Sequence, residues 1–133
     1  MLAVASVQDS FARCNLNSNF IDTFYNIFLA SNPVFAEMFA NTDFSAQKDL
    51  LRRGISMMIL FAEGNVVGKL ALDRLGKTHG IHGMNIPADL YNFWMDSLVS
   101  AVAKIDPEFG PALEEAWREV LNKGVRHIVD MGQ

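Results

Sequence analysis

The most informative segment of the chain reads LDRLGKTHG and covers residues 72–80. Leu72, Leu75 and His79 are spaced three and four residues apart, so on a helix they lie on one face. That face is apolar until its last member, which is an imidazole close to the predicted end of the helix. Because a histidine on an apolar face needs a polar partner or a metal ion, the partner of His79 bears directly on function.

Length and composition predict one domain, spanning residues 1–133, with room for one bound group. Half of the 133 residues are hydrophobic, ten are Phe and only 20% are charged. The formal net charge is −4 and no long cluster of Lys and Arg occurs, which disfavours a nucleic-acid partner. The longest largely apolar run, residues 55–62, is too short to span a bilayer, so no membrane partner is expected.

Cysteine content and the N-terminal sequence predict a cytoplasmic protein. Cys14 is the only cysteine, so no internal disulfide can form, which fits a reducing compartment. The first residues lack the basic region and the cleavage site that are typical of a signal peptide.

The hydrophobic periodicity is helical almost throughout and predicts an all-α fold. The predicted helices run from near Ser6 to Asn15, from Asn19 to Asn32, from Pro33 to Phe39, from Phe44 to Ala62, from Val66 to His79, from Pro87 to Ile105, and from Asp106-Pro107-Glu108 through Ile128. The start near Ser6 depends on a partial capping box with Asp9. The start at Asp106 depends on an N-cap, a proline at the first position and an acid in the first turn.

Three polar residues, Tyr25, Gln47 and His79, interrupt apolar helix faces. Singly, each has an ordinary structural explanation: a core tyrosine donates to a backbone carbonyl, a glutamine near a helix start is solvated, and a histidine near a helix C-terminus meets the negative end of the dipole. Together they are more specific. Gln47 and His79 are separated by one predicted helix, a corner and most of a second helix.

The same three positions lie in a wider pattern that resembles the single-domain bacterial globins and the haem domain of flavohaemoglobins. The other elements of the pattern are Phe24, Asn32-Pro33, Phe39, Leu51 and Tyr91. The resemblance extends from about residue 19 to residue 128. It implies a globin fold, with helices packed around a pocket for haem b (iron protoporphyrin IX).

The resemblance also implies a role for each site residue. His79 corresponds to the proximal iron ligand, and Gln47 and Tyr25 correspond to the distal residues that donate hydrogen bonds to a bound gas. The remaining cofactor-binding positions are apolar or aromatic contacts of the haem: Phe39, Leu51, Leu75, Met84 and Tyr91. Among these, Leu51 and Phe39 would exclude bulk water, and Tyr91 would line the proximal side.

The chain departs from the flavohaemoglobin pattern in several places. The corner between Phe39 and Gln47 is shorter, and the turn between His79 and Tyr91 is longer. Residues 125–128 offer no match for the glutamate that joins the proximal hydrogen-bond network of flavohaemoglobins. No flavin- or nicotinamide-binding domain occurs within the 133 residues, so a reductase would be a separate protein.

The resemblance implies a globin that reversibly binds O2 and other diatomic ligands such as NO and CO. Nitric oxide dioxygenation with an external reductase is a second activity that it leaves open. The alternative is a haem-free globin-like module for protein interaction or sensing. His82, in the turn after Gly80, is the rival iron ligand, and His127 is expected at the surface or near a helix dipole.

Overall fold

Seven helices and no strand make up the part of the chain that the computed structural model describes, residues 2–133. This confirms the predicted all-α class. In chain order the helices are α1 (Leu2–Asn15), α2 (Phe20–Ser31), α3 (Pro33–Met38), α4 (Phe44–Ala62), α5 (Val66–His79), α6 (Leu90–Ile105) and α7 (Pro111–Met131). None of the described helices combines the length and apolarity that a bilayer-spanning helix requires.

The two helices that carry Gln47 and His79 begin and end where the sequence predicts. The Asp43 side chain accepts hydrogen bonds from the first-turn amides of α4, and Asn65 accepts one from the amide of Val67 at the start of α5. These side-chain caps satisfy N–H groups that have no partner within the helix. Local capping therefore sets the register of both helices before any long-range contact forms.

Three predicted helix starts are wrong. Helix α1 begins at Leu2 rather than near Ser6, so the capping box with Asp9 is not formed. Helix α6 begins at Leu90 rather than Pro87, because Pro87 starts a turn in which its carbonyl accepts from the Leu90 amide. Turns of this kind commonly precede an α-helix and are difficult to distinguish from its first turn in a sequence.

The predicted N-cap of α7, Asp106, lies four residues before the N-cap in the structure, Gly110. The helix begins at Pro111, which occupies the first position after Gly110. The Asp106 carboxylate accepts one amide hydrogen bond from Glu108, but its other partners lie on α1. The local signal at Asp106 is therefore a capped turn, and α7 begins only after residues 107–110.

A buried polar network fastens α1 to the corner between α6 and α7. Asp106 accepts from Ser10 Oγ at 2.6 Å and from Arg13 Nε and Nη2 at 2.8 and 2.9 Å. Ser10 Oγ in turn accepts from the indole N–H of Trp117 at 2.9 Å. The side chain of Asp106 is fully buried. Its charge is tolerated because Arg13 pairs with it and four donors satisfy its oxygens.

This network should make folding stability depend on acidity. The Arg13 guanidinium, more than any other neighbour, lowers the pKa of Asp106 from 3.8 to about 2. Because the folded pKa lies below the unfolded one, the stabilisation is complete above about pH 4 and is lost as the pH falls through 2. We expect urea unfolding to show this loss in the wild type. The loss should be smaller in Asp106→Asn, and equal losses in the two proteins would contradict the assignment.

The core lies between α2 and α6 on one side and α4, α5 and α7 on the other. Its largest fully buried side chains include Phe20, Phe24, Leu72, Leu98 and Trp117. Helices α4 and α5 are in close backbone contact beside the corner that joins them, where a Cβ on Gly68 would lie 2.5 Å from the Phe61 nitrogen. The other ends of these two helices carry Gln47 and His79.

Candidate functional site

His79 lies in the last turn of α5, half-buried, with one ring nitrogen occupied. Its Nδ1 is 2.9 Å from the carbonyl oxygen of Leu75, one turn earlier. A carbonyl can only accept, so Nδ1 is the donor in this bond. In the tautomer that is protonated on Nδ1 alone, Nε2 keeps its lone pair. The bond orients the ring and leaves Nε2 available to a metal ion.

The turn after His79 is held by backbone hydrogen bonds. The His79 carbonyl accepts from the Ile86 amide at 2.8 Å, and the Gly80 carbonyl accepts from the Asn85 amide at 2.8 Å. Asn85 adopts a φ of 51°, a left-handed conformation that asparagine tolerates better than most residues. This longer turn therefore has a defined conformation and closes over the end of α5.

A cavity of about 180 Å³ lies beside His79. Tyr91 lines it, and burial raises the pKa of Tyr91 to about 12, so its phenol is neutral at physiological pH. The other polar side chains in the wall are Asn85 and Gln133, and no Asp or Glu of the described region contributes to it. The structure thus places Tyr91 beside His79, with no Asp or Glu side chain of the described region in the same wall.

Tyr25 and Gln47 meet where α2 passes the first turn of α4. The Tyr25 hydroxyl donates to the backbone carbonyl of Gln47 at 3.3 Å, and burial raises the pKa of Tyr25. The side chain of Gln47 is half-buried. The structure therefore brings the two predicted distal residues together, but the contact that it shows uses the main chain of Gln47 and not its amide side chain.

A second contact fixes the same turn of α4 on α2. Lys48 Nζ lies 2.5 Å from Asp22 Oδ1, one turn before Tyr25 on α2. Both side chains are partly exposed, so this ion pair adds orientation more than stability. Together with the bond from Tyr25 it sets the position of the start of α4.

Phe39 packs in an aromatic cluster that includes a residue the sequence analysis did not select. Its ring centroid lies 5.8 Å from that of Phe28 and 6.2 Å from that of Phe44. Phe44 also packs against Tyr25 edge to face, with centroids 5.4 Å apart. An aromatic first residue of a capped helix was the signal that could have identified Phe44. It links the Tyr25 ring to Phe39 and restricts both.

The face of α4 beyond Gln47 has free space. Leu51, one turn further, is buried, and Gly54 follows at helical spacing on the same face. Gly54 is half-buried, yet a Cβ placed on it would contact nothing within 4 Å. We call this open space beside Gly54, on the face of α4 that carries Gln47 and Leu51, the cleft.

The remaining candidates lie outside this arrangement. Met84 and His82 are both exposed in the turn after α5, and Met84 remains a predicted haem contact. His127 is half-buried and its Nε2 lies 2.6 Å from Asp73 Oδ1, so it is paired with a carboxylate of α5 rather than with a helix dipole. It lines a separate open depression of about 620 Å³, which contains none of the predicted site residues.

Comparison with known proteins identifies the family. Over 98% of its length the chain is 37% identical to a protein from Pseudomonas aeruginosa PAO1, and the TM-score is 0.93. The match also covers 98% of that chain, whose crystal structure is described as structurally highly homologous to a human haemoglobin. No protein-family model and no curated protein matches the chain. At this identity and coverage the two proteins share more than architecture, and the chain belongs to the globin family.

Proposed function

We propose that the protein is a haem-binding globin that reversibly binds O2, with His79 as the iron ligand. The observation that carries this proposal is the hydrogen bond from His79 Nδ1 to the Leu75 carbonyl. It presents Nε2 with its lone pair at the end of an apolar helix face, beside the neutral Tyr91. An imidazole oriented in this way is suited to coordinate the iron of a haem.

The apolar surface around the cleft suits haem b. Leu50 on α4 and Ile81 and Met84 after α5 are large hydrophobic side chains that are more than half exposed, and a Cβ on Gly54 would contact nothing within 4 Å. Covering several hundred Å² of such surface would contribute several kcal/mol at about 25 cal/mol per Å². Haem b, when bound, supplies the iron that coordinates a diatomic ligand.

The surroundings of His79 favour holding O2 over cleaving it. The acceptor of Nδ1 is a neutral carbonyl, and no Asp or Glu side chain of the described region lines the adjacent cavity. A neutral acceptor leaves the imidazole a moderate electron donor, whereas an anionic acceptor would make it a stronger one. Strong electron donation from the axial ligand is what favours O–O cleavage.

Tyr25 and Gln47 would stabilise bound O2 because it becomes partly anionic. The bond between the Tyr25 hydroxyl and the Gln47 carbonyl is 3.3 Å long, well beyond the usual 2.7–2.8 Å for such pairs, so redirecting that hydroxyl costs little. The raised pKa keeps the hydroxyl protonated as a donor. Each charge-assisted hydrogen bond would be worth about 1.5–3 kcal/mol.

Removing either donor should accelerate O2 release. We expect Tyr25→Phe and Gln47→Leu each to increase the O2 dissociation rate by roughly tenfold to a hundredfold, measured by stopped-flow displacement with CO. CO gains less charge on binding and serves as the internal control, since its dissociation rate should change much less. Unchanged O2 release in both variants would refute the proposal that Tyr25 and Gln47 donate hydrogen bonds to bound O2.

Absorption spectroscopy tests the proposal as a whole. The purified chain, supplied with haem and reduced, should show a Soret band that shifts on addition of O2 and again on addition of CO. The alternative, a haem-free globin-like module for interaction or sensing, predicts no Soret band after haem addition. That outcome would overturn the assignment of haem b as the cofactor.

The neighbouring Tyr25 and Gln47 also support nitric oxide dioxygenation as a second activity. We propose that it would draw electrons from a separate reductase in the cytoplasm, where the buried Cys14 would stay reduced. Rapid mixing of the O2-bound protein with NO should then oxidise the haem and yield nitrate within the mixing time. Slow oxidation would leave O2 binding as the proposed function and exclude the dioxygenase activity.

A further inference from the structure

Three glycines bring the last turn of α5 into backbone contact with the end of α7. A Cβ on Gly132 would lie 2.7 Å from Gly80 Cα and 2.8 Å from the carbonyl oxygen of Gly76. A Cβ on Gly80 would lie 2.3 Å from Gly132 Cα, and one on Gly76 would lie 2.5 Å from the Met131 Cβ. Contacts this short do not occur between real Cβ atoms and their neighbours, so the approach requires glycine on both sides.

A hydrogen bond reinforces this contact. The amide of Ile81 donates to the carbonyl of Gly132 at 3.0 Å, which ties the turn after His79 to the end of α7. Gly132 has an ordinary right-handed backbone, with φ −89° and ψ −3°, so its conformation does not require glycine. The absence of a side chain at position 132 therefore serves the close approach itself.

The contact lies next to His79, the residue on which the proposed function depends. His79 lies between Gly76 and Gly80 in the sequence, and its ring shares the cavity of about 180 Å³ with Gly132 and Gln133. The end of α7 is thus both the support on which the last turn of α5 lies and part of the wall beside the imidazole.

We propose that the contact of Gly132 with Gly76 and Gly80 is a positioning device for His79. It fixes the last turn of α5 against α7, and so fixes the distance and direction of the imidazole relative to the cleft. Gly132 touches neither the reacting ligand nor, on this proposal, the iron, and it acts only through the turn that holds His79. The consequence for iron rests on the proposed haem function, but the effect on the imidazole does not.

The substitution Gly132→Ala tests the positioning role, and it lies far from His79 in the sequence. Nitrogen NMR of the haem-free protein reports whether the His79 ring keeps its proton on Nδ1, and amide exchange reports the Ile81 bond. We expect Ile81 exchange to become roughly tenfold faster and the Nδ1–H signal to shift or broaden. In the haem-loaded protein, resonance Raman spectroscopy should show a shifted iron–histidine stretching band.

Gly110→Ala is the matched control, because Gly110 precedes the other end of α7 and a Cβ there would contact nothing within 4 Å. It should leave all three signals as in the wild type. If Gly132→Ala does not fold, a chain ending at Met131 removes the same contact without adding an atom, and the same readouts apply. A folded variant with wild-type Ile81 exchange and a wild-type His79 ring would overturn the proposal.

The haem function and the positioning role of Gly132 can be refuted independently of each other. A wild type without a Soret band would refute the haem function, while the ring signal and the exchange rate would still decide the positioning role. Conversely, a haem-loaded Gly132→Ala protein with an unshifted iron–histidine band would overturn the positioning role and leave the haem function standing.

Discussion

Replacing His79 with Ala is expected to abolish haem retention, so that the reconstituted and gel-filtered variant shows no Soret absorption. The reason is that Nδ1 of His79 is already committed to the Leu75 carbonyl, so Nε2 is the nitrogen that we propose to bind the iron. Without it, only apolar contact would hold the haem, and the iron would lose its axial ligand.

The control for this prediction is His82→Ala. His82 is exposed in the turn after α5 and is the rival ligand by sequence, but it does not line the cavity beside His79. The variant should retain haem at the wild-type stoichiometry. Haem retention by His79→Ala together with loss by His82→Ala would transfer the ligand role to His82, and retention by both would refute axial ligation by either residue.

Asp106→Asn is expected to cause the largest loss of stability, about 2–4 kcal/mol in the free energy of unfolding. The new amide would place a donor against Arg13, whose Nε and Nη2 both donate to the carboxylate in the native protein. Arg13 would lose its partner, and the bond from Ser10 would weaken. For a chain of this size we expect a decrease in Tm of roughly 10 °C, measured by thermal unfolding at neutral pH.

Asp96→Asn is the matched control for Asp106→Asn. Asp96 Oδ1 lies 2.7 Å from Arg118, as close as the buried pair, but the Asp96 side chain is 67% exposed. Exposed pairs of this kind contribute about 0–1 kcal/mol, because water solvates both ions nearly as well. Equal losses in the two variants would show that burial of Asp106 does not determine the strength of its network.

Those parts of the fold that depend on short-range signals were predictable. The bounds of α4 and α5 follow from Asp43 and Asn65, whose side chains cap the following helix wherever the rest of the chain lies. The starts of α1, α6 and α7 were not predictable in the same way. At Asp106 the sequence shows a good N-cap, but Ser10 and Arg13 of α1 compete for the same carboxylate and the helix starts later.

For the candidate site, too, some features could be predicted from the sequence and others could not. Its residue types and spacing single out Tyr25, Gln47 and His79, and the resemblance to bacterial globins assigns them roles. The spacing could not show that Tyr25 reaches the carbonyl of Gln47, or that Phe44 packs between Tyr25 and Phe39. These contacts depend on how α2 crosses α4, which no single helix encodes.

By itself the sequence determined that the chain is all-helical, where α4 and α5 lie, and which imidazole ends an apolar face. Helical periodicity and capping act over a few residues, so they can be read without knowing the neighbours. Only the tertiary structure decided that Tyr25 reaches the Gln47 carbonyl, that no Asp or Glu side chain of the described region lines the cavity beside the imidazole, and that Gly132 packs against Gly76 and Gly80. These properties arise between segments separated by tens of residues, and close packing of backbones is visible only once those segments are brought together.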